Sequence, residues 1–467
     1  MSRSGDDSLP QHIHMVGILG IGLSAIARVL AARGHQVSGS DLHSSPIRND
    51  LERQGIEVYI GHAAENVAGA ELLIISSAIP DGSPEVRVAR RLGIPVVKRQ
   101  GMMAKMMAGS KGIAVAGTHG KTTTSAMIAV ILEKVGLSPT FIVGGMIAEL
   151  GTNARAGQGP YFIIEADEYD HMFYGLRPQV AVVTNVEMDH PDCYGDIADM
   201  RAAYGVFLRQ VPSDGNIVAC ADSAELERVL QESGQEIAPV VTYGRSREAD
   251  YVVQDMQPNE AGGVDCRIYK RQKLWAELSL RVPGVHNALN GTAALIVAEG
   301  CGVESHKAAS ALSGFRGVLR RFEVKGECQG IVIVDDYAHH PTQVAATLSA
   351  ARLRYPKRRI WAVLQPHTYS RTAALLDAFA TCFGDADKVI ITDIYAARSR
   401  EKPIISAKDL AEAIEHEDVR YLGSFGEVVA YLLSEMSGGD LLLTLGAGNG
   451  YTIGERVLTE LREQGKR

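Results

Sequence analysis

Aromatic side chains make up only 6% of the 467 residues, and tryptophan occurs twice. Cysteine is scarce too: the six present (Cys193, Cys220, Cys266, Cys301, Cys328 and Cys382) are dispersed and form no C-x-x-C pair. That excludes a disulfide-stapled scaffold and predicts reduced, buried thiols and a cytoplasmic address. Runs of basic residues are missing, and 47 Lys plus Arg against 55 Asp plus Glu leave a formal charge of -8, so neither nucleic acid nor an anionic membrane has an electrostatic reason to bind. No segment is apolar for long enough to cross a bilayer. Residues 1–11, polar and rich in Ser and Asp, lack the apolar stretch of a signal peptide and read as a frayed tail. Tandem repeats and low-complexity tracts are absent as well.

What remains is a globular composition, 46% hydrophobic and 22% charged, and at about 150 residues per domain the length predicts roughly three domains. From His12 onward apolar strands alternate with amphipathic helices, so the fold class is α/β with parallel sheets. The first unit, 1–108, reads as a Rossmann-like domain: strand 12–19, a glycine turn, helix 23–33, strand 36–40 ending at Asp41, then strands 72–76 and 94–97. The middle unit, 109–318, restarts at Gly112 as a P-loop ATPase-type α/β domain, with helix 122–135, strands 161–165 and 179–184, an antiparallel meander over 240–282, and helices from Asn287 and Glu304. The third unit, 319–467, is again Rossmann-like: strand 331–334, helix 341–355, strand 359–364, helix 372–383, strand 388–392 and a last strand 441–445.

The chemistry concentrates where strands end. Gly117-Thr118-His119-Gly120-Lys121-Thr122-Thr123 lies between an apolar strand and a helix, where backbone N–H groups and the helix dipole converge on an anion. Glycine lets the chain curl round phosphate oxygens, Lys121 can neutralise their charge, and the Thr122 hydroxyl can ligate Mg2+. Val115 stands where the standard pattern has a further glycine, so the loop is a variant of the Walker type. Two acidic segments, Glu165-Ala-Asp167-Glu168-Tyr-Asp170 and Glu187-Met-Asp189-His190, follow strands of the same predicted sheet and should face this loop. Near the N-terminus, Gly20-Ile-Gly22-Leu-Ser24-Ala25 fits G-x-G-x-x-A with Asp41 about 20 residues on, which suits NAD, any other diphosphate carrying a ribose, or a tight turn without ligand. In the third unit Asp335-Asp336-Tyr337-Ala-His339-His340-Pro341 and Gln365-Pro-His367-Thr-Tyr369-Ser-Arg371 both follow strands. No Cys or His partner with zinc spacing accompanies the His pair, so recognition of a carboxylate or phosphate by Arg371 fits better than a metal site.

Taken together, these segments resemble the Mur ligases, the ATP-dependent amide-forming enzymes of peptidoglycan assembly. The likeness spans the chain in the family's motif order and includes His286-Asn287-Ala-Leu-Asn290 and Arg320-Arg321-Phe322-Glu323. It implies Lys121 on the ATP phosphates, Thr122 and Glu165 on one Mg2+ and His190 on a second. It implies Asn287 and Asn290 on the adenine side, with Arg321 and Asp336 closing on ATP. It places UDP, rather than NAD, on Gly20, Gly22, Ser24 and Asp41, and the incoming amino acid near His339, His367 and Arg371. The pattern points within the family to L-alanine joining UDP-N-acetylmuramate, with ATP and two Mg2+ ions as cofactors and no nucleic-acid or membrane partner. Leu19, Tyr169 and Asn449 depart from residues usual in the family, and Tyr204 stands where sister ligases carry a carbamylated lysine, so no carbamate is expected.

A carboxylate acylates poorly, so the implied reaction first phosphorylates the lactyl carboxylate with ATP and then lets the amine of alanine displace phosphate, with His367 a candidate to take the amine's proton. Closure of the three units on their ligands would exclude water from the acyl phosphate. A murein-recycling ligase that attaches a tripeptide to the same sugar nucleotide is the nearest alternative. An NAD-dependent oxidoreductase would leave the loop at Gly117 without purpose, and a phosphate-loop switch would leave the other two units without ligands.

Overall fold

The computed structural model describes residues 9–76, 78–397 and 403–465, so most of the expected N-terminal tail lies outside the described residues. Three sheets follow one another along the chain. The first is all parallel, in the order Glu57–Ile60, Gln36–Asp41, His12–Val16, Leu72–Ile75, Val96–Lys98. Strands such as Leu72–Ile75, apolar at every position, are what a sheet covered on both faces requires. The central sheet has ten strands. Its middle is parallel and includes the neighbours Val180–Val183, Lys111–Ala116 and Tyr161–Glu165. Antiparallel hairpins extend it at both ends: Tyr251–Pro258, Val264–Lys270 and Lys273–Leu280 on one side, Thr140–Ile147 with Thr152–Arg155 on the other. The third sheet is parallel apart from the edge strand Glu323–Cys328.

Several expectations need correction. The antiparallel run begins at Tyr251, because Val240–Gly244 pairs in parallel with both Asn216–Cys220 and Tyr251–Pro258. The helix expected over 372–383 is two short ones, Tyr369–Ala374 and Leu376–Ala380. The first starts early because the Thr368 hydroxyl caps the Arg371 N–H, and helical geometry lapses at Leu375, where φ is -111° and ψ 17°. The sequence reading gives no strand at Glu57–Ile60, Thr140–Ile147, Thr152–Arg155, Asn216–Cys220, Glu323–Cys328 or Val419–Tyr421.

The helix Lys121–Lys134, which follows the glycine loop, is buried at Thr122 and from Thr124 to Leu132. It packs beside Val285–Gly300, buried almost as completely, and both are apolar on nearly every face as enclosed helices must be. The apolar core runs without a break from the first sheet into the middle one, linking Ile13 and Leu30 through Met102 and Met106 to Ile128 and Leu295, whereas the third unit packs two clusters of its own on the faces of its sheet. No helix among the described residues is long and apolar enough to cross a membrane.

Candidate active site

Because Val180–Val183, Lys111–Ala116 and Tyr161–Glu165 are adjacent and parallel, the segments after them leave the sheet at one edge. The middle strand delivers the glycine loop, and its neighbours deliver Thr184 to His190 and Glu165 to Asp170. Glycine is obligatory at two points of the loop. At Gly117, φ is +131° and a Cβ would lie 2.0 Å from Thr184 Oγ1; at Gly120, φ is +84° and a Cβ would lie 2.8 Å from Asn290 Oδ1. The loop is pinned by its neighbour: the His119 N–H donates to Asn185 Oδ1 at 2.9 Å, and the Glu187 N–H donates to Thr118 Oγ1 at 2.9 Å. No side chain caps the helix Lys121–Lys134, which leaves the task of satisfying its first N–H groups to an anion.

Lys121 Nζ folds back on the loop, donating to the Gly117 carbonyl at 2.6 Å and to both Glu168 oxygens at 2.9 and 2.8 Å. Burial pushes the Glu168 carboxyl up, but Lys121 and His190 together hold it below the usual range. Glu165 differs: burial keeps its carboxyl raised in spite of Lys121 and Thr122, and Asp167 adds to the rise. Its oxygens accept from Thr122 Oγ1 at 2.9 and 3.1 Å and from the Gly144 N–H at 2.7 Å. A buried acid with excess negative charge around it, next to a hydroxyl, is a hard-oxygen donor set that fits Mg2+. Ligand atoms of Asp167, Glu168 and His190 all lie within 4.8 Å of one another and form a second set, of two carboxylates and one imidazole nitrogen. The His190 imidazole, which burial would lower, is held above its ordinary value by Glu168 and Asp189.

Beside the loop opens a crevice of about 190 Å³, walled by the middle domain and by the third-unit helix Pro341–Arg354. Asn287 and Asn290, one helical turn apart, face it together. His286 is pushed down to about 4 by burial and by Arg321, so it lines the crevice as a neutral ring. Asp336 is pushed up to about 6 by burial, which Arg321 only partly offsets, and its oxygens accept the Phe322 and Ala338 N–H groups at 2.8 Å each. Glu187 is pulled down to about 2: burial opposes, but the His119 hydrogen bond at 3.2 Å and Thr342 at 2.7 Å prevail.

Arg371 reaches across from the third unit. Its Nε donates to Asp189 Oδ1 at 2.7 Å, Nη1 to His367 Nδ1 at 2.9 Å and Nη2 to His190 Nδ1 at 3.3 Å. A guanidinium can only donate, so Nδ1 of His367 is an acceptor and a neutral His367 carries its proton on Nε2. In this arrangement Arg371 occupies the lone pair on Nδ1 at which His367 would take the proton of an amine. His339 is the reverse case. Its Nδ1 lies 2.8 Å from the Tyr337 carbonyl and must donate, so the lone pair is on Nε2, and burial with the Arg371 charge holds the ring neutral.

In the first unit the glycine turn closes on itself. Asp41 accepts the Leu19 N–H at 3.0 Å and the Leu42 N–H at 2.8 Å, and Ser24 is fully buried with its hydroxyl donating to the Ile21 carbonyl at 3.1 Å. Ser24 is therefore turned inward, away from any ligand on the turn, contrary to expectation. Over Gly22 lies Arg99: a Cβ on that glycine would meet Nη1 at 2.1 Å, while Nη2 of the same guanidinium is 3.3 Å from Asp167. Glu168 and Asp189 stood unassigned inside acidic segments already singled out, and Asn185 opens the run 185–190 that belongs to the family likeness without a role of its own, whereas Arg99 and Gln343 carried no motif.

Three family models match in succession: the Mur ligase family catalytic domain over 12–111, the Mur ligase middle domain over 115–298, and the Mur ligase glutamate ligase domain over 320–448. The chain belongs to the Mur ligase family. This Mur ligase is 44% identical over 453 residues to the UDP-N-acetylmuramate--L-alanine ligase of Caldanaerobacter subterraneus subsp. tengcongensis, covering 96% of the chain and 98% of that relative. It is 45% identical to the ligase of the same name from Acidobacterium capsulatum, covering 94% and 95%. Among solved structures it resembles the UDP-N-acetylmuramate-alanine ligase of Thermotoga maritima, with a TM-score of 0.81 at 27% identity, covering 98% of this chain and 100% of that one. A murein peptide ligase from Psychrobacter arcticus gives a TM-score of 0.72 at 25% identity, covering 97% and 99%.

Proposed function

We propose that this Mur ligase is a cytoplasmic enzyme of peptidoglycan synthesis that joins L-alanine to UDP-N-acetylmuramate at the expense of ATP. The observation that carries the reading is the 44% identity, over nearly the whole of both chains, to relatives named for that reaction. The geometry supports its chemistry. In the first step an oxygen of the lactyl carboxylate bonds to the γ-phosphorus as the β–γ bridge breaks and ADP leaves. In the second, the amine of alanine attacks the acyl carbon, and phosphate departs with the carboxylate oxygen it had captured.

The residues divide the work. Backbone N–H groups of Gly117 to Thr123 cradle the phosphates while Lys121 neutralises charge moving toward the bridge. Thr122 with Glu165, and His190 with Asp167 and Glu168, are the two places for Mg2+. Bound there, the ion polarises the transferring phosphoryl group and offsets its charge. Asn287 and Asn290 flank the base of the nucleotide, with Arg321 and Asp336 on its ribose side. Gly20, Gly22 and Asp41 shape the turn for the UDP diphosphate, and Arg371 with His367 orients the amino acid. His339, held neutral, offers its Nε2 lone pair to the amine as a hydrogen-bond acceptor. In this scheme residues 1–108 hold the sugar nucleotide, 109–318 the ATP and 319–467 the amino acid.

The test uses donor labelled with 18O in its lactyl carboxylate. Ligation with L-alanine should place one labelled oxygen in the phosphate released; unlabelled phosphate would exclude the acyl phosphate. The tripeptide L-alanyl-γ-D-glutamyl-meso-diaminopimelate, tested in parallel, should give little product, and a preference for it over alanine would assign the chain to the peptide-adding reaction instead.

A further inference from the structure

One amide, that of Gln343, spans the gap between the glycine loop and the amino-acid side of the crevice. Gln343 lies in the first turn of the helix Pro341–Arg354. Its Oε1 accepts from the backbone N–H groups of His339 at 3.0 Å and His340 at 3.4 Å, and its Nε2 donates to Nδ1 of His119 at 2.8 Å. The direction of the amide is settled by its partners: two backbone N–H groups can only donate, so the oxygen must face them and the NH2 must face the imidazole. Nδ1 of His119 is then an acceptor and its proton sits on Nε2, aimed at Glu187 Oε2 3.2 Å away. Glu187 in turn accepts from Thr342 Oγ1 at 2.7 Å, which closes a ring of hydrogen bonds that leaves the third-unit helix, crosses two loops of the middle domain and returns. His119 cannot drift within that ring, because Asn185 holds both its N–H, at 2.9 Å, and its carbonyl, at 3.1 Å.

We propose that Gln343 is a positioning residue for ligation: it sets the backbone of His339 against the glycine loop, so that the amino-acid pocket is in register with the phosphate site when the third unit is seated. The inference rests on the reading of the reaction given above. Holding two reacting groups in register is where much of the rate of such a step originates, and loss of register falls on turnover and on the amine rather than on the nucleotide. The same side chain completes the capping box of its helix. Gln343→Glu keeps an acceptor for the two N–H groups and removes the donor to His119, which separates positioning from helix stability.

The experiment is a kinetic cycle with a spectroscopic arm. Gln343→Glu should lower kcat about tenfold and raise KM for alanine, leaving KM for ATP and for the sugar nucleotide within about threefold of the parent. His119→Ala, which also removes the bond to Glu187, should cost at least that factor, and the double variant should lose no more than His119→Ala alone, because the Gln343 bond is already gone there. In histidine-labelled 15N spectra, Nδ1 of His119 should be unprotonated and hydrogen-bonded in the parent, and that signature should vanish in Gln343→Leu. Losses that multiply in the double variant, or a proton found on Nδ1 of His119, would overturn the proposal. A parent that shows the signature but ligates no alanine would sink the assigned reaction and leave the coupling standing.

Discussion

Replacing Arg371 with methionine removes the cation that bridges Asp189, His190 and His367. The Arg371 and Asp189 side chains are 6% and 4% exposed and 2.7 Å apart, so water cannot solvate the carboxylate left behind. Breaking a buried pair by deleting one partner costs about 3–5 kcal/mol where the protein must keep the orphan. Here the orphan has an escape. Asp189 belongs to the middle domain and Arg371 to the third unit, so parting the two hydrates the carboxylate, and the penalty falls on the closed form rather than on the fold. At the lower end of that range, ~3 kcal/mol, the closing equilibrium shifts by about 150-fold. Ligation measured as kcat/KM should therefore fall by about two orders of magnitude, while the thermal midpoint of the middle domain moves by no more than about 2 °C. The pH dependence has a definite sign. Burial would raise the Asp189 carboxyl, but Arg371 and then His190 hold it well below its ordinary value. A depressed carboxyl contributes stability that is complete above its unfolded value and is lost as pH falls through the folded one. The parent should thus keep its closed form to more acid pH than Arg371→Met. Phosphate-release kinetics and X-ray scattering with ATP and donor bound read the two effects. A variant that ligates within twofold of the parent and still compacts with ligands would refute the reasoning.

Two further outcomes are expected. The Asp336 carboxyl, raised to about 6 by burial with Arg321 as partial offset, favours its neutral form in the folded protein, so its contribution to stability is complete below its unfolded value and is lost as pH rises through about 6. Its ionised form is the stronger acceptor for a ribose hydroxyl; KM for ATP should rise as pH drops below about 6, and Asp336→Asn should flatten that dependence. Gly117→Ala forces a methyl to 2.0 Å from Thr184 Oγ1 at a φ that L residues rarely adopt. It should cost ~2–3 kcal/mol by denaturant titration and reduce ATP turnover below detection, and normal turnover would show that the loop tolerates a different course.

Most of the parallel interior strands were legible because buried runs such as Ile113 to Ala116 or Leu72 to Ile75 are unbroken apolar stretches ended by glycine or a polar residue; Asn216–Cys220, which opens on a polar residue, was the exception. The edges were not. Thr140–Ile147 carries two adjacent glycines, and Glu323–Cys328 alternates on a half-exposed margin, so neither shows the pattern of an enclosed strand. Within the site, motifs pointed to the glycine loop and to the acidic segments but not to who pairs with whom. Lys121 meets Glu168 across 47 residues of sequence and Arg371 meets Asp189 across 182, separations that only the strand order resolves. The same holds for His367: the family likeness puts it near the amino acid, and the Arg371 contact shows that its Nδ1 is engaged.

The unbroken apolar core beneath the first two sheets makes the chain mechanically two bodies rather than three. The sugar-nucleotide turn and the phosphate loop ride on one rigid base, joined in addition by the buried Arg28–Asn153 hydrogen bond at 2.9 Å. The first unit adds a small cluster of its own around Val16, Leu73 and Val86, but the third unit shares nothing with the common core, and it is tethered where Arg320 takes a left-handed φ of +63°. A swing about that tether carries Arg371, Asp336 and Gln343 off together, so the acid to be activated stays beside ATP while the route for the incoming amine opens and shuts.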